Sequence, residues 1–246
     1  MILLKAVDIS KKYGEKTIIE SVNINLKKGE TVSLLGVSGA GKTTLLHVLA
    51  GISPPDGGKV FLMEEDITKN PGKIAYMMQK DLLLEHKKII DNVALPLIIK
   101  GKSKKEARKE AIKYFKDFGL DNTQYKYPSQ LSGGMRQRAA LLRTYLSSNK
   151  VALLDEPFSA LDNITKSAIQ KWYLDTIKKI DLSTIFITHD IDEAIYLSDR
   201  IYILKGKPAT ITDEIDLGNL KKDTEKDFNL TEKFLELKKM IISKLV

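Results

Sequence analysis

Gly36-Val37-Ser38-Gly39-Ala40-Gly41-Lys42-Thr43 decides how this chain is read. It follows the apolar, β-branched run Thr31 to Leu35 and leads into the helical run Thr44 to Leu49, so a strand, a glycine-rich turn and a helix succeed one another. Glycines at 36, 39 and 41 let the backbone curl until successive N–H groups point inward, and the helix that begins there adds the positive end of its dipole. The turn is therefore an anion cradle. Lys42 is suited to bridge the terminal phosphates of a nucleotide and Thr43 to offer its hydroxyl to Mg²⁺, a hard cation that prefers oxygen ligands. Ser38, Ala40 and Thr44 belong to the same phosphate-binding stretch. An incidental lysine in a structural turn accounts for the residues less well, because strand, loop and helix come in the order that phosphate binding requires.

Outward from this turn, short apolar runs alternate with longer helical patterns. The runs lack the polar alternation of half-exposed strands, which predicts an α/β fold around buried parallel strands at Thr31 to Leu35, Ile74 to Met78, Val151 to Leu154, Thr184 to Thr188 and Ile201 to Leu204. An antiparallel β region is expected at the N-terminus, Leu3 to Ser10 and Thr17 to Leu26, joined by a Lys11-Lys12-Tyr13-Gly14 turn. From about Lys87 to Ser147 the spacing of Ala107, Ala111, Phe115 and Phe118 is helical, and the charged stretch Lys100 to Glu110 reads as a solvated helix. After Lys205 the chain turns polar, then ends in an amphipathic pattern at Phe234, Leu235, Leu237, Met240, Ile241 and Leu245 that predicts a docking helix.

The 246 residues are enough for one large α/β domain or two small ones, and the absence of cysteine excludes disulfides and thiolate metal sites. The formal charge of +8 admits nucleic acid, an anionic membrane surface or an anionic ligand as partner. Lysines mostly lie beside acidic residues, however, and form no single basic stripe. No stretch reaches the roughly 18 to 20 apolar residues of a membrane helix, and Met1 to Lys5 does not have a signal-peptide layout. The chain itself is expected to be soluble, with any membrane role exercised through a partner.

Val151-Ala152-Leu153-Leu154-Asp155-Glu156 is an apolar strand that stops at two carboxylates, which need a cation or a reaction to serve. At the corresponding strand end of P-loop NTPases an Asp holds Mg²⁺, so Asp155 takes that role and Glu156 is left to polarise the attacking water.

Leu131-Ser132-Gly133-Gly134-Met135-Arg136-Gln137-Arg138 resembles the signature sequence of the ABC ATPases. The resemblance extends from about Leu3 to Lys207 through Gln79 in Met77-Met78-Gln79-Lys80-Asp81, Ser159-Ala160-Leu161-Asp162, and Thr188-His189-Asp190, all in family order. It implies a P-loop NTPase with a RecA-like parallel sheet core (residues 1–86 and 147–215), a helical subdomain carrying the signature (87–146) and a helical tail (216–246).

By the same resemblance, Tyr13 matches the aromatic that stacks on adenine, and Gln79 the residue that reaches Mg²⁺ and the lytic water. Ser132, Gly133 and Gly134 match the turn facing the γ-phosphate held by a second copy. Asp162 lies across that interface, and His189 is the switch histidine that helps hold Glu156 and water in line. Leu82-Leu83-Leu84 and Ile89 to Leu97 match a groove for a membrane subunit, although Glu85-His86 stands where a Pro-Trp often follows the leucines; the same apolar residues also suit the core of the helical insertion.

The details of Asp155 to Asp162 and His189 to Ala194 look most like importers for nitrate, sulfonate and taurine, with pyrimidine vitamin-precursor importers close by. The resemblance thus implies a homodimer binding ATP and Mg²⁺ on the cytoplasmic face of the membrane, with two transmembrane permease subunits and an extracytoplasmic solute-binding protein. No nucleic acid is expected. The alternatives are an exporter motor or a soluble ABC ATPase acting on nucleic acid or ribosomes, which usually has two cassettes or a long coiled coil.

Overall fold

A computed structural model describes residues 1–148, 150–159, 161–218 and 228–245. In chain order the strands are β1 (Ile2–Tyr13), β2 (Lys16–Lys27), β3 (Thr31–Leu35), β4 (Gly57–Leu62), β5 (Glu65–Asp66), β6 (Ala75–Met77), β7 (Val151–Asp155), β8 (Ser183–Thr188), β9 (Arg200–Gly206) and β10 (Ala209–Asp216). The helices are α1 (Lys42–Leu49), α2 (Ile89–Ile99), α3 (Lys104–Ala111), α4 (Gly133–Ser147), α5 (Asn163–Lys179), α6 (Ile191–Leu197) and α7 (Glu232–Leu245). Contacts group them into two units, Met1–Lys73 with Ser183–Val246, and Ile74–Leu182.

In the first unit β3 is buried along its whole length and pairs in parallel with β8 and with β9. A run without polar alternation has no face to offer water, so it lies inside the sheet. Towards the other edge, β1 pairs antiparallel with β2 and with β4, and β9 with β10. The N-terminal hairpin is longer than the sequence suggests. Lys11 pairs with Ile19, Lys12 with Thr17 and Tyr13 with Lys16, so these residues belong to β1 and the turn is at Gly14, where φ is +59°. A lysine is no obstacle there, because Lys11 lays its stem along the protein and its Nζ donates to Pro54 O at 2.8 Å. Strands β4, β5 and β10 were not expected either. In β10 the exposed polar residues Thr210, Thr212, Glu214 and Asp216 alternate with partly or fully buried positions, and read linearly this looks merely polar.

The tail forms α7, which buries Phe234, Leu237 and Ile241 in a cluster with Leu35, Ala194, Ile195, Ile201 and Ile203. Met240 and Leu245 pack at its margin, while Leu235 is exposed because it lies a quarter-turn from Phe234. Residues 219–227 and 246 of the expected tail, and Ala160 of the expected motif after the carboxylates, lie outside the described residues.

In the second unit β6 and β7 pair in parallel, Tyr76 opposite Leu153 and Met77 opposite Leu154. Ile89, Ile90, Val93, Ala94 and Leu97 of α2 are buried, so this apolar stretch is core rather than open groove; only its end, Ile99, is largely exposed. Helix α3 begins with a capping box between Ser103 and Glu106 and stops at Ala111, so Phe115 and Phe118 follow it in tight turns, still buried. Helix α4 starts at Gly133, where Ser132 caps it. A Cβ on Gly134 would meet Ile169 Cδ1 at 2.6 Å, so the second signature glycine lets α4 lie closely against α5.

Arg200 is the ionic centre of the first unit. Its side chain is 5% exposed, and its fork donates to Glu30, to Glu214 at 2.7 Å, to Asn25 O at 2.9 Å and to the Tyr202 hydroxyl at 2.9 Å. Replacing Arg200 with Leu leaves the Glu30 carboxylate, itself only 10% exposed, without its counter-charge and should cost about 3–5 kcal/mol of unfolding free energy in chemical denaturation. A loss below about 1 kcal/mol would show that the fork is not needed.

Candidate nucleotide site

The glycine-rich turn lies between β3 and α1, where sequence placed it. Gly36 is buried against β9, and a Cβ there would come within 2.5 Å of Leu204 O, so only glycine passes. Gly41 is the N-cap of α1 at φ +87°, a left-handed backbone that glycine adopts without strain, and it offers no side chain to cap the helix. Ser38 and Gly39 are exposed at the crest of the turn, Ala40 is buried, Thr43 is exposed and Thr44 is half-buried. Lys42 is 6% exposed, and its Nζ donates to Gly36 O at 2.8 Å and Val37 O at 2.9 Å. The ammonium is thus held inside the turn by carbonyls of the same loop. A lysine so placed meets an incoming phosphate as a point charge already oriented.

Tyr13 stands at the end of β1, half exposed, with Lys11 Nζ 5.6 Å from its ring centroid. His189 follows β8 and is exposed. The next residue, Asp190, accepts from the backbone N–H groups of Asp192 at 3.0 Å and Glu193 at 3.2 Å and so starts α6. That cap fixes the backbone turn on which His189 sits.

The second unit carries the carboxylates. Asp155 ends β7 at 9% exposure, and the Tyr76 hydroxyl donates to its Oδ2 at 3.1 Å. Burial and the neighbouring carboxylate push the Tyr76 hydroxyl well above its ordinary pKa, so it is a donor throughout the working pH range. Glu156 follows at φ +44°, left-handed for a residue with a Cβ. Backbone held in that region is held by its surroundings, and such positions concentrate at functional sites. Gln79 Nε2 donates to Glu156 Oε2 at 3.1 Å and to Ser159 Oγ at 3.3 Å, and Ser159 Oγ donates to Glu156 O at 3.0 Å. Gln79 and Glu156, far apart in sequence, are thus brought together.

Ser132 Oγ accepts from Met135 N–H at 3.3 Å, and with Gly133 it is exposed at the start of α4, while Gly134 is buried. Asp162 caps α5, its Oδ1 accepting from Thr165 N–H at 3.0 Å.

Sequence reasoning passed over the residues that hold the segment after Gln79. Arg136 of the signature helix grips Asp81 with two bonds, 2.9 and 3.2 Å, and reaches Glu85 at 2.8 Å. Burial alone would raise Asp81, but the Arg136 guanidinium outweighs it and holds the carboxyl below its usual range. Arg143 donates to the carbonyls of Asp81 and Leu82, and Asn92 brackets Leu84, accepting from its N–H at 2.6 Å and donating to its carbonyl at 3.1 Å. Glu85, which departs from the common pattern, is therefore an anchor for Arg136. Around this segment the exposed large apolar residues are Met78 and Leu82. The available signal was charge complementarity between Asp81, Glu85 and Arg136 and Arg143 of α4.

The ABC transporter family profile matches residues 19–159. The formylaminopyrimidine import ATP-binding protein ThiZ of Halalkalibacterium halodurans is 39% identical over 246 aligned residues, 99% of this chain and 96% of that protein. The aliphatic sulfonates import ATP-binding protein SsuB of Bacillus cereus is 38% identical across 95% of this chain and 90% of its own length. Among solved structures, the dimeric structure of MJ0796, a bacterial ABC transporter cassette, superposes with a TM-score of 0.74 at 30% identity, covering 87% of this chain and 99% of that one. The same cassette in a post-hydrolysis state bound to ADP and Pi superposes at 0.72, also at 30% identity, with the same coverage of both chains. The phosphate-binding turn and the acidic strand end thus lie in a P-loop NTPase fold of the ATP-binding cassette kind, and this chain belongs to the ABC transporter family as a subunit that binds and hydrolyses ATP.

Proposed function

We propose that the chain drives uptake of a small anionic or heterocyclic solute as the ATPase of an importer, working as a homodimer on the cytoplasmic face of two permease subunits. The observation that carries the catalytic half is the Gln79–Glu156 contact at 3.1 Å beside the left-handed turn at Glu156. The names of the relatives carry the direction of transport: both the formylaminopyrimidine and the aliphatic sulfonate protein are import ATP-binding proteins. Nothing of comparable weight favours an exporter or a nucleic-acid ATPase. A solute-binding protein outside the membrane belongs to the same reading, and among the described residues no helix is long and apolar enough to cross a membrane.

In this mechanism the turn from Gly36 to Thr44 receives the triphosphate through its backbone N–H groups, and Lys42 turns its ammonium from the loop carbonyls to the β- and γ-phosphates. Tyr13 offers its ring to adenine. Glu156 takes a proton from the attacking water, Gln79 orients that water, and His189 holds it in line with the γ-phosphate. Ser132, Gly133 and Gly134 of the second copy close on the γ-phosphate at the start of α4, and Asp162 lies along the same interface. The oxygen donors Asp155, Thr43 and Gln79 suit Mg²⁺, which is held by few carboxylates and completes its shell with phosphate oxygens and water. When bound, the ion neutralises charge that develops on the phosphates. Closure of the two copies on ATP and their reopening after hydrolysis move the permease, since a ligand shifts an equilibrium only by its differential affinity for the two states.

Replacing Glu156 with Gln should leave ATP binding within about threefold of wild type and lower the hydrolysis rate by about 10²–10⁴-fold, the usual contribution of a general base. Undiminished turnover in that variant would remove Glu156 from the role. In membranes reconstituted with the cognate permease and binding protein, an aliphatic sulfonate or a formylaminopyrimidine should stimulate ATP hydrolysis. Stimulation by neither, with another solute active, would overturn the solute class.

A further inference from the structure

We propose that Tyr76 is a positioning residue for the metal-bound nucleotide, acting through Asp155; this rests on the reading of Asp155 as the carboxylate that holds the ion. Strand pairing makes the contact. Tyr76 on β6 lies opposite Leu153 on β7, and Asp155 is two residues further along, on the same face of the strand. A diagonal neighbour at that spacing is out of reach for a short side chain but within reach of a tyrosine. The hydroxyl meets Asp155 Oδ2 at 3.1 Å.

That bond has two consequences for an ion-holding carboxylate. Asp155 is 9% exposed, and a buried carboxylate without donors is costly. A neutral donor lowers that cost without bringing a positive charge that would compete with the ion. The bond also limits rotation of the carboxylate about its last torsion, so the group meets the ion in one orientation. Partners of this kind fix the geometry of a ligand that the ion itself touches.

The placement carries a further meaning because the same strand end delivers Gln79, whose amide reaches Glu156 at 3.1 Å. Within four residues β6 and its extension therefore contact both carboxylates at the end of β7. Tyr76 sets the first carboxylate, and Gln79 the second. Beyond Gln79 the chain is pinned to α4 by Arg136 and Arg143, so the placement of β6 is shared with the signature helix.

The test uses the purified full chain with Tyr76→Phe, which keeps the ring and removes only the hydroxyl. Equilibrium binding of a non-hydrolysable ATP analogue is measured across a MgCl₂ titration, alongside thermal unfolding. We expect the Mg²⁺ concentration that gives half the metal-dependent gain in affinity to rise about tenfold, with affinity in EDTA unchanged. The KM for Mg²⁺ in hydrolysis should rise in parallel, by more than kcat falls. A Mg²⁺ titration that superposes on wild type overturns the proposal, and so does an equal loss of affinity with and without Mg²⁺, which would mark a purely structural role. Asp155→Asn, measured in the same way, separates this from the reading beneath it: that variant should lose the metal-dependent gain altogether. If it retains the gain, the assignment of Asp155 fails, and the role of Tyr76 fails with it.

Discussion

A buried parallel strand that ends in two carboxylates is the constraint on which the second unit is organised. All five residues of β7 are buried, and the last is Asp155. Two acidic groups at such a place are tolerable only with donors close by, and the phenol of Tyr76 and the amide of Gln79 are two such donors. Both come from β6 and the residues just after it, so the pairing of two short strands sets the geometry of the acidic end. At Glu156 the backbone leaves the extended conformation of the strand, with φ at +44°. Ser159 closes that turn with a bond back to Glu156 O.

The first unit solves the complementary problem, that of receiving negative charge. Three features converge at the turn after β3: a glycine pressed against Leu204 O, a left-handed glycine at the helix start, and a lysine held inside the loop. Each depends on the sheet beneath. β3 is fixed between β8 and β9, and α7 closes the apolar layer around Leu35 from below. The C-terminal helix thus supports the strand that presents the phosphate turn, although it lies far from that turn in sequence.

How much of this could be read in advance varied with the kind of signal. The phosphate turn and the signature were legible because glycine, lysine and serine at fixed spacing have few other uses, whereas the acidic strand end, a pattern that often merely caps a strand, drew its meaning from the motifs around it. The parallel strands were legible from continuous apolar runs, with ends wrong by a residue or two, as at β6. Lys11 to Tyr13 were misplaced into a turn because lysine suggests solvent, whereas Lys11 folds its stem inward. β10 was missed because threonines and acidic residues fill its exposed positions and Asp213 one of its partly buried ones. Tyr76 was unreadable for a different reason: in an apolar strand a tyrosine looks like core, and its meaning arises only from a cross-strand diagonal. Arg136 and Arg143 of α4 were likewise passed over, because their partners, Asp81 and the carbonyls of Asp81 and Leu82, lie beside them only in the fold.

A nucleotide gripped by the Lys42 turn of one copy and the Ser132 turn of another requires two chains in the ATP-bound state, and mass in solution tests this directly. Sedimentation of the Glu156→Gln variant with Mg²⁺ and ATP should give a species of twice the 27.6 kDa chain mass, and a further Ser132→Arg substitution should return it to the monomer. A chain that remains monomeric with saturating ATP, alone and beside its permease, would contradict the shared site.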